Sequence, residues 1–223
     1  MQLLEMKKTR FVSQDKHEQE FAKALRKNVN NYFKEKGISN KGNVGVVFQV
    51  ITMLSLYLVP LLVLLFVPMP GWVAAFMPFL AGIGLAGTGM CVMHGGAHDA
   101  LSSHKWVNKL LGGSMNLLGN SVFTWKVKHN MMHHTYTNID GLDADILSKG
   151  PMRFSEQSPL KKINKFQHFL AVIAYGLLTL SMLVNDFIWL FGYHKDGTLK
   201  KQKIEFGPAF LKLIVIKSCL LYT

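Results

Sequence analysis

Nine histidines lie along the 223 residues, and five of them fall into two tight sets. His94 and His98 stand four apart in "HGGAH", and His129, His133 and His134 stand in "HNMMHH". Residues four apart on a helix share a face. Each set therefore turns two imidazoles the same way, and His134 extends the second set sideways. Imidazole nitrogen is a ligand for iron, zinc, copper and nickel. Two helices presenting such faces to each other would enclose a metal ion. The sets are nitrogen-rich, and an iron–sulfur cluster is held by several cysteine thiolates, so such a cluster does not fit. His104, six residues past His98, is off that helical face and is weighed only as a substitute for His94. His17, His168 and His194 stand alone and are read as structural.

Acidic residues follow the second set in "NIDGLDADI", namely Asp140, Asp143 and Asp145. A metal-bound imidazole commonly donates its other N–H to a carboxylate or carbonyl. Asp143 and Asp145 are expected to fill that place behind the histidines, with Asp99 a further candidate. The alternative is an Asp/Gly-rich turn and nothing more.

The elements that must position these side chains belong to a membrane. Positions 42–98 hold no charged residue, a stretch of 57. A membrane-spanning helix needs roughly 20 apolar residues, so the stretch holds two, and "VPMPG" breaks it in the middle. The pattern predicts a helical hairpin with spans at about 45–67 and 72–93. A third span is expected at 166–191 and a partial one at 206–223. Four lysines against two acids at 192–206 sit poorly outside the cytoplasm, so a re-entrant or surface element is the alternative for 166–191.

The formal net charge is +12. Segment 1–43 carries ten Lys/Arg against five Asp/Glu, and segment 94–168 carries nine against five. Both flank the hairpin, which returns the chain to the side it left, and the positive-inside rule places both in the cytoplasm. The same charge attracts anionic lipid. The basic residues are scattered and form no recognition motif, so no nucleic-acid partner is expected. Cys91 and Cys219 lie in apolar segments and suggest no disulfide framework. The start "MQLLEMKKTRF" lacks a signal-peptide core.

Residues 15–36 are predicted to form one amphipathic helix. Asp15 and Glu18 have capping-box spacing, Phe21, Leu25, Val29 and Phe33 recur every four residues, and Gly37 is a C-terminal stop. Its apolar face is expected to pack on the protein itself, with the membrane surface as the alternative. Val107–Trp125 reads as short interfacial helices, and Leu147–Phe166 as a loop. The fold class is thus all-α, an integral membrane helical bundle with cytoplasmic histidine-bearing helices. A cytoplasmic segment 1–43 precedes a membrane domain 44–223.

The H-x-x-x-H box "HGGAH" and the H-x-x-x-H-H box "HNMMHH", in that order after a membrane hairpin, resemble those of the membrane fatty acid desaturases. "LRKNVNNYFKEKGIS", "SHKWVNKLLG" and "WKVKHNMMHHTYTNIDGLDADI" resemble the bacterial linoleoyl-CoA-type subgroup. The resemblance covers essentially the whole chain. It implies a non-haem di-iron enzyme that uses O2 and two electrons to place a double bond in a long acyl chain carried on CoA or lipid. By position it makes His94, His98, His129, His133 and His134 iron ligands. It implies a location in a bacterial inner membrane and a separate electron donor of ferredoxin or cytochrome b5 type. No His-Pro-Gly-Gly haem motif is present, and 43 residues are too few for a fused cytochrome b5. Trp106 and Trp125 are expected to line the entrance for the acyl tail, against the alternative of ordinary interfacial tryptophans.

Two features depart from the family pattern. Gly95 holds the place where the family's first box usually has Asp, and the Q-x-x-H-H third box is not found in these residues. Impaired activity of the 223 residues alone is therefore expected. The alternatives are a non-catalytic truncated remnant, and a hydroxylase or ketolase of the same superfamily.

Overall fold

A computed structural model describes residues 15–147 and 150–222. Among them every regular element is helical, as the apolar patterning predicts. They divide into two compact units, one ending at Ser114 and the other beginning at Met115. This boundary falls inside the stretch 44–223, and the amphipathic helix shares the first unit with the hairpin.

In the first unit α1 spans Lys16–Glu35. The Asp15 carboxylate caps it by accepting the His17 backbone N–H at 2.8 Å. Gly37, at φ 61°, ends it, and the Ile38 N–H reaches back to the Phe33 carbonyl. A left-handed residue at this place is what glycine supplies without a Cβ penalty. Phe21, Leu25 and Val29 are 69, 51 and 46% exposed. The expected packing of this face on the protein itself is not formed among the described residues.

α2 spans Val44–Phe66, capped by the Asn43 side chain. After the turn at Val67–Pro70, α3 spans Gly71–Gly87, a widened π-helical turn spans Thr88–Met93, and α4 spans His94–Ala97. These three run on as one helix, Gly71–Ala97, of 27 residues. It and the 23-residue Val44–Phe66 are long and apolar enough to cross a membrane, where the sequence predicts two spans. Gly84 lets the two helices meet: a Cβ there would collide with the backbone of Leu56 and Tyr57. Small residues at such a crossing let helix backbones approach closely. α5, Lys105–Gly113, lies against α4 in the same manner. A Cβ on Gly96 would meet the Gly112 nitrogen and, at 2.9 Å, the Asn108 carbonyl.

After a short 3-10 turn at Ser114–Leu118, the second unit continues with α6, Val122–Lys126, which widens into a π-helical segment at Val127–His133. Turns follow. A 3-10 turn at Lys162–Phe166 then leads to α7 (Gln167–Gly176), α8 (Leu178–Lys195), α9 (Thr198–Lys201) and α10 (Phe206–Tyr222). The stretch read as a third span, with a re-entrant element as the alternative, is bent by 82° between Lys162–Gly176 and Leu180–Lys195. The break sits where Gly176 ends α7 and Leu177 leaves helical geometry at φ −89° and ψ 1°. Its shape is that of a broken span or a re-entrant element. Val127 and Met132 of the widened segment pack with Trp189, Leu190, Tyr193, Leu199 and Leu213, so α8, α9 and α10 form the bed under the second histidine set.

Candidate metal centre

The second histidine set is built on the widened helical segment. The His134 N–H donates to the His129 carbonyl five residues back, at 2.9 Å. Such π-type turns often occur at functional sites. Here the turn gathers three imidazoles. The His129 and His133 rings stack with centroids 5.0 Å apart, and His134 stands edge-on to His129 at 4.8 Å. Trp125, one turn earlier, stacks on the other side of His129 at 4.4 Å and 20°.

Two carboxylates meet these rings. His129 Nδ1 lies 2.9 Å from Asp145 Oδ2, and His133 Nδ1 lies 3.0 and 2.9 Å from the two Asp143 oxygens. A neutral imidazole that donates Nδ1–H keeps Nε2 as its acceptor. The carboxylates thus fix which nitrogen of each ring is available to a metal, and in which orientation. Asp143 is fully buried and also accepts the backbone N–H groups of Asn138 at 2.8 Å and Asp145 at 2.9 Å. Burial alone pushes its carboxyl upward. The two backbone donors and His133 outweigh that, and the net direction is below the usual carboxylate range. Asp145 moves the same way: burial raises it, but Lys128, 3.2 Å from Oδ1, and His129 outweigh the rise. The Asp/Gly-rich segment does turn the chain, with Gly141 at φ 79°, and in turning it delivers both carboxylates to the rings.

One ligand atom each from His129, His133 and Asp145 lie within 4.8 Å of one another, a group that could hold a metal ion. Its mixed imidazole and carboxylate donors suit iron or zinc.

In the first unit, His94 and His98 bracket α4 with ring centroids 4.7 Å apart and nearly perpendicular. The widened turn Thr88–Met93 comes directly before them. Asp99, at φ 55°, accepts Lys41 Nζ on its backbone carbonyl at 2.7 Å. The Asp140 carboxylate accepts the Ser158 hydroxyl at 2.8 Å. His104 stands at the start of α5 without capping it. His168 and His194 lie against Phe169 and Phe206. Trp106 is exposed on α5.

The family model for fatty acid desaturases matches residues 70–219, a range that holds both histidine sets, both carboxylates and the bent helix pair. The chain belongs to the fatty acid desaturase family. A sn-1 linoleoyl-lipid 6-desaturase from Arthrospira platensis is 30% identical over 74% of this chain and 45% of its own length. One of the same name from Synechocystis sp. is 32% identical over 67% of this chain and 42% of its own. An acyl-lipid (8-3)-desaturase from Physcomitrium patens is 27% identical over 79% of this chain and 38% of its own. The chain thus spans less than half the length of these relatives, whose names point to lipid-linked substrates, one of the two carriers the sequence left open. No solved structure matches. Family membership and the two long apolar helices make this a membrane protein.

Sequence spacing missed three features. The Trp125–His129–His133 stack repeats every four residues and was open to the same helical argument as the histidines. The widened turns left no signal in the residue pattern. The pairing of Asp186 with Lys217 joins two charges that the sequence showed only as interruptions of apolar stretches.

Proposed function

We propose that this chain carries part of the metal centre and membrane scaffold of an O2-dependent acyl desaturase. The observation that carries the reading is the pair of His–carboxylate contacts, His133–Asp143 and His129–Asp145, in a family member. His94, His98, His129, His133 and His134 would hold two non-haem irons. When bound, the metal supplies the O2-activating redox chemistry that the protein's own side chains lack. The side chains orient it: Asp143 and Asp145 fix the imidazoles, and Trp125 braces His129 by stacking.

The substrate is a long acyl chain, and the names of the relatives favour a lipid carrier over CoA. Trp106 and Trp125 would stand at the acyl entrance. Two electrons would come from a separate ferredoxin- or cytochrome b5-type carrier, drawn to the basic flanks by charge complementarity. Those flanks would lie on the cytoplasmic side of a bacterial inner membrane.

The test is fatty-acid methyl ester profiling of cells expressing the chain, with iron content of the purified protein, for wild type and His129→Ala. A new unsaturated product lost in His129→Ala supports the reading, and a hydroxylated or oxo product moves it to another reaction of the superfamily. No product with sub-stoichiometric iron leaves the 223 residues a metal-poor remnant. A product unchanged by His129→Ala overturns the assignment.

A further inference from the structure

The second unit buries an ion pair that touches none of the histidines. Asp186 of α8 and Lys217 of α10 are 2 and 4% exposed. Lys217 Nζ donates to Asp186 Oδ2 at 2.5 Å, to the Gly119 carbonyl at 2.5 Å and to the Met182 carbonyl at 3.0 Å. Its three donors are therefore all placed. Asp186 Oδ2 also accepts the Ser121 backbone N–H at 2.7 Å, and Oδ1 accepts the Thr124 hydroxyl.

A fully buried pair is a poor device for stability alone, because desolvation offsets most of the attraction and apolar residues of similar volume do as well. Ionisable groups in apolar helices are rare for that reason, and they mark function. What this pair holds is specific. Gly119 and Ser121 lead into α6, Ser121 is its N-cap, and Thr124 lies in its first turn. The next residue, Trp125, stacks on His129. The pair therefore grips the root of the helix that carries the second histidine set. Metal ligands need placement to about 0.5 Å, so a slip at this root is carried along the helix to the imidazoles.

We propose that Asp186 and Lys217 form a positioning clamp that sets the height and rotation of the second histidine box. The inference rests on the reading of that box as a metal site. Its test uses Co(II) as the probe metal and amide hydrogen exchange on the purified chain in detergent. Asp186→Leu and Lys217→Met are each expected to weaken Co(II) binding tenfold or more. Each is also expected to speed exchange at residues 121–128 tenfold or more, with α2 and α3 unchanged and Lys217→Arg close to wild type. The double variant Asp186→Leu/Lys217→Met has no lone buried charge, so it remains measurable if a single variant fails to fold. It is expected to recover thermal stability but neither slow exchange nor Co(II) affinity. Recovery of all three in the double variant, or single variants that leave exchange and Co(II) affinity unchanged, would overturn the clamp. Wild type that binds no Co(II) would defeat the metal reading instead, and exchange at 121–128 would still decide the clamp.

Discussion

Asp143 meets His133 Nδ1 with both carboxylate oxygens, at 3.0 and 2.9 Å, and is itself completely buried. Asp145 meets His129 with one oxygen, gives the other to Lys128, and is partly exposed. The two contacts look alike in sequence and differ in weight. Asp143 also ties down the turn through two backbone N–H groups. Asp145 has solvent beside it to replace what is lost.

Removing the charge of Asp143 should therefore do more damage than removing that of Asp145. Partners that orient metal-bound histidines typically cost 10–100-fold in metal affinity when mutated. Asp143→Asn is expected at the upper end of that range and Asp145→Asn at the lower end. Co(II) or Fe(II) titration of the purified variants measures both. Equal losses, or the reverse order, would show that burial does not set the strength of these contacts.

The acid response of the turn follows from the same residue. Asp143 titrates below its ordinary value of about 3.9 in the folded chain. The group therefore contributes stability that is fully present above about pH 4 and is lost as the pH falls through the lower folded value. In the metal-free chain, amide exchange at residues 138–145 should be slower in wild type than in Asp143→Asn by a constant factor above about pH 5. The factor should shrink toward one in stronger acid, once the intrinsic pH dependence of exchange is removed. A factor that grows on acidification would reverse the assignment.

Within the hairpin, Gly82 and Gly84 give an internal comparison on one helix. An added methyl at Gly84 meets the backbone of Leu56 and Tyr57, while nothing lies within 4 Å of one at Gly82. Overpacking typically costs about 1–3 kcal/mol, and replacing an unconstrained helical glycine by alanine gains roughly 0.5–1 kcal/mol. Gly84→Ala should lower the thermal midpoint in detergent and Gly82→Ala should hold or raise it. Two variants that shift together would mean that the helices do not meet at Gly84.

Much of this was legible in the sequence because its signals were local. An uncharged run broken by "VPMPG" gives the hairpin, since charge and proline act on the residues where they stand. Histidines four apart give shared faces, and the aspartates that follow give their partners. What escaped depended on distant residues or on small changes of helical pitch. The bend after Gly176 needs only one residue to leave helical geometry, and a run rich in Leu and Val hides it. Asp186 and Lys217 are 31 positions apart, and no periodicity links them.

The exposed face of α1 was the other departure, and it leads to the last prediction. Phe21, Leu25 and Val29 stay open to the surroundings, and the helix also carries Lys16, Lys23, Arg26, Lys27 and Lys34. Only eight residues separate its end at Glu35 from the start of the first spanning helix at Val44. A short tether to a membrane span, an uncovered apolar stripe and a basic complement together match a helix lying in the interface of an anionic bilayer. Nitroxide labels at Leu25→Cys and Glu20→Cys in bilayers containing anionic lipid would read the depth of each side. Leu25→Cys is expected to be relaxed more by oxygen and less by a water-soluble nickel chelate than Glu20→Cys. The contrast should weaken when Phe21→Glu is added, because that change puts a charge in the middle of the apolar stripe. Labels equally open to the chelate at both positions would place α1 in water and send the search for its partner back to the protein.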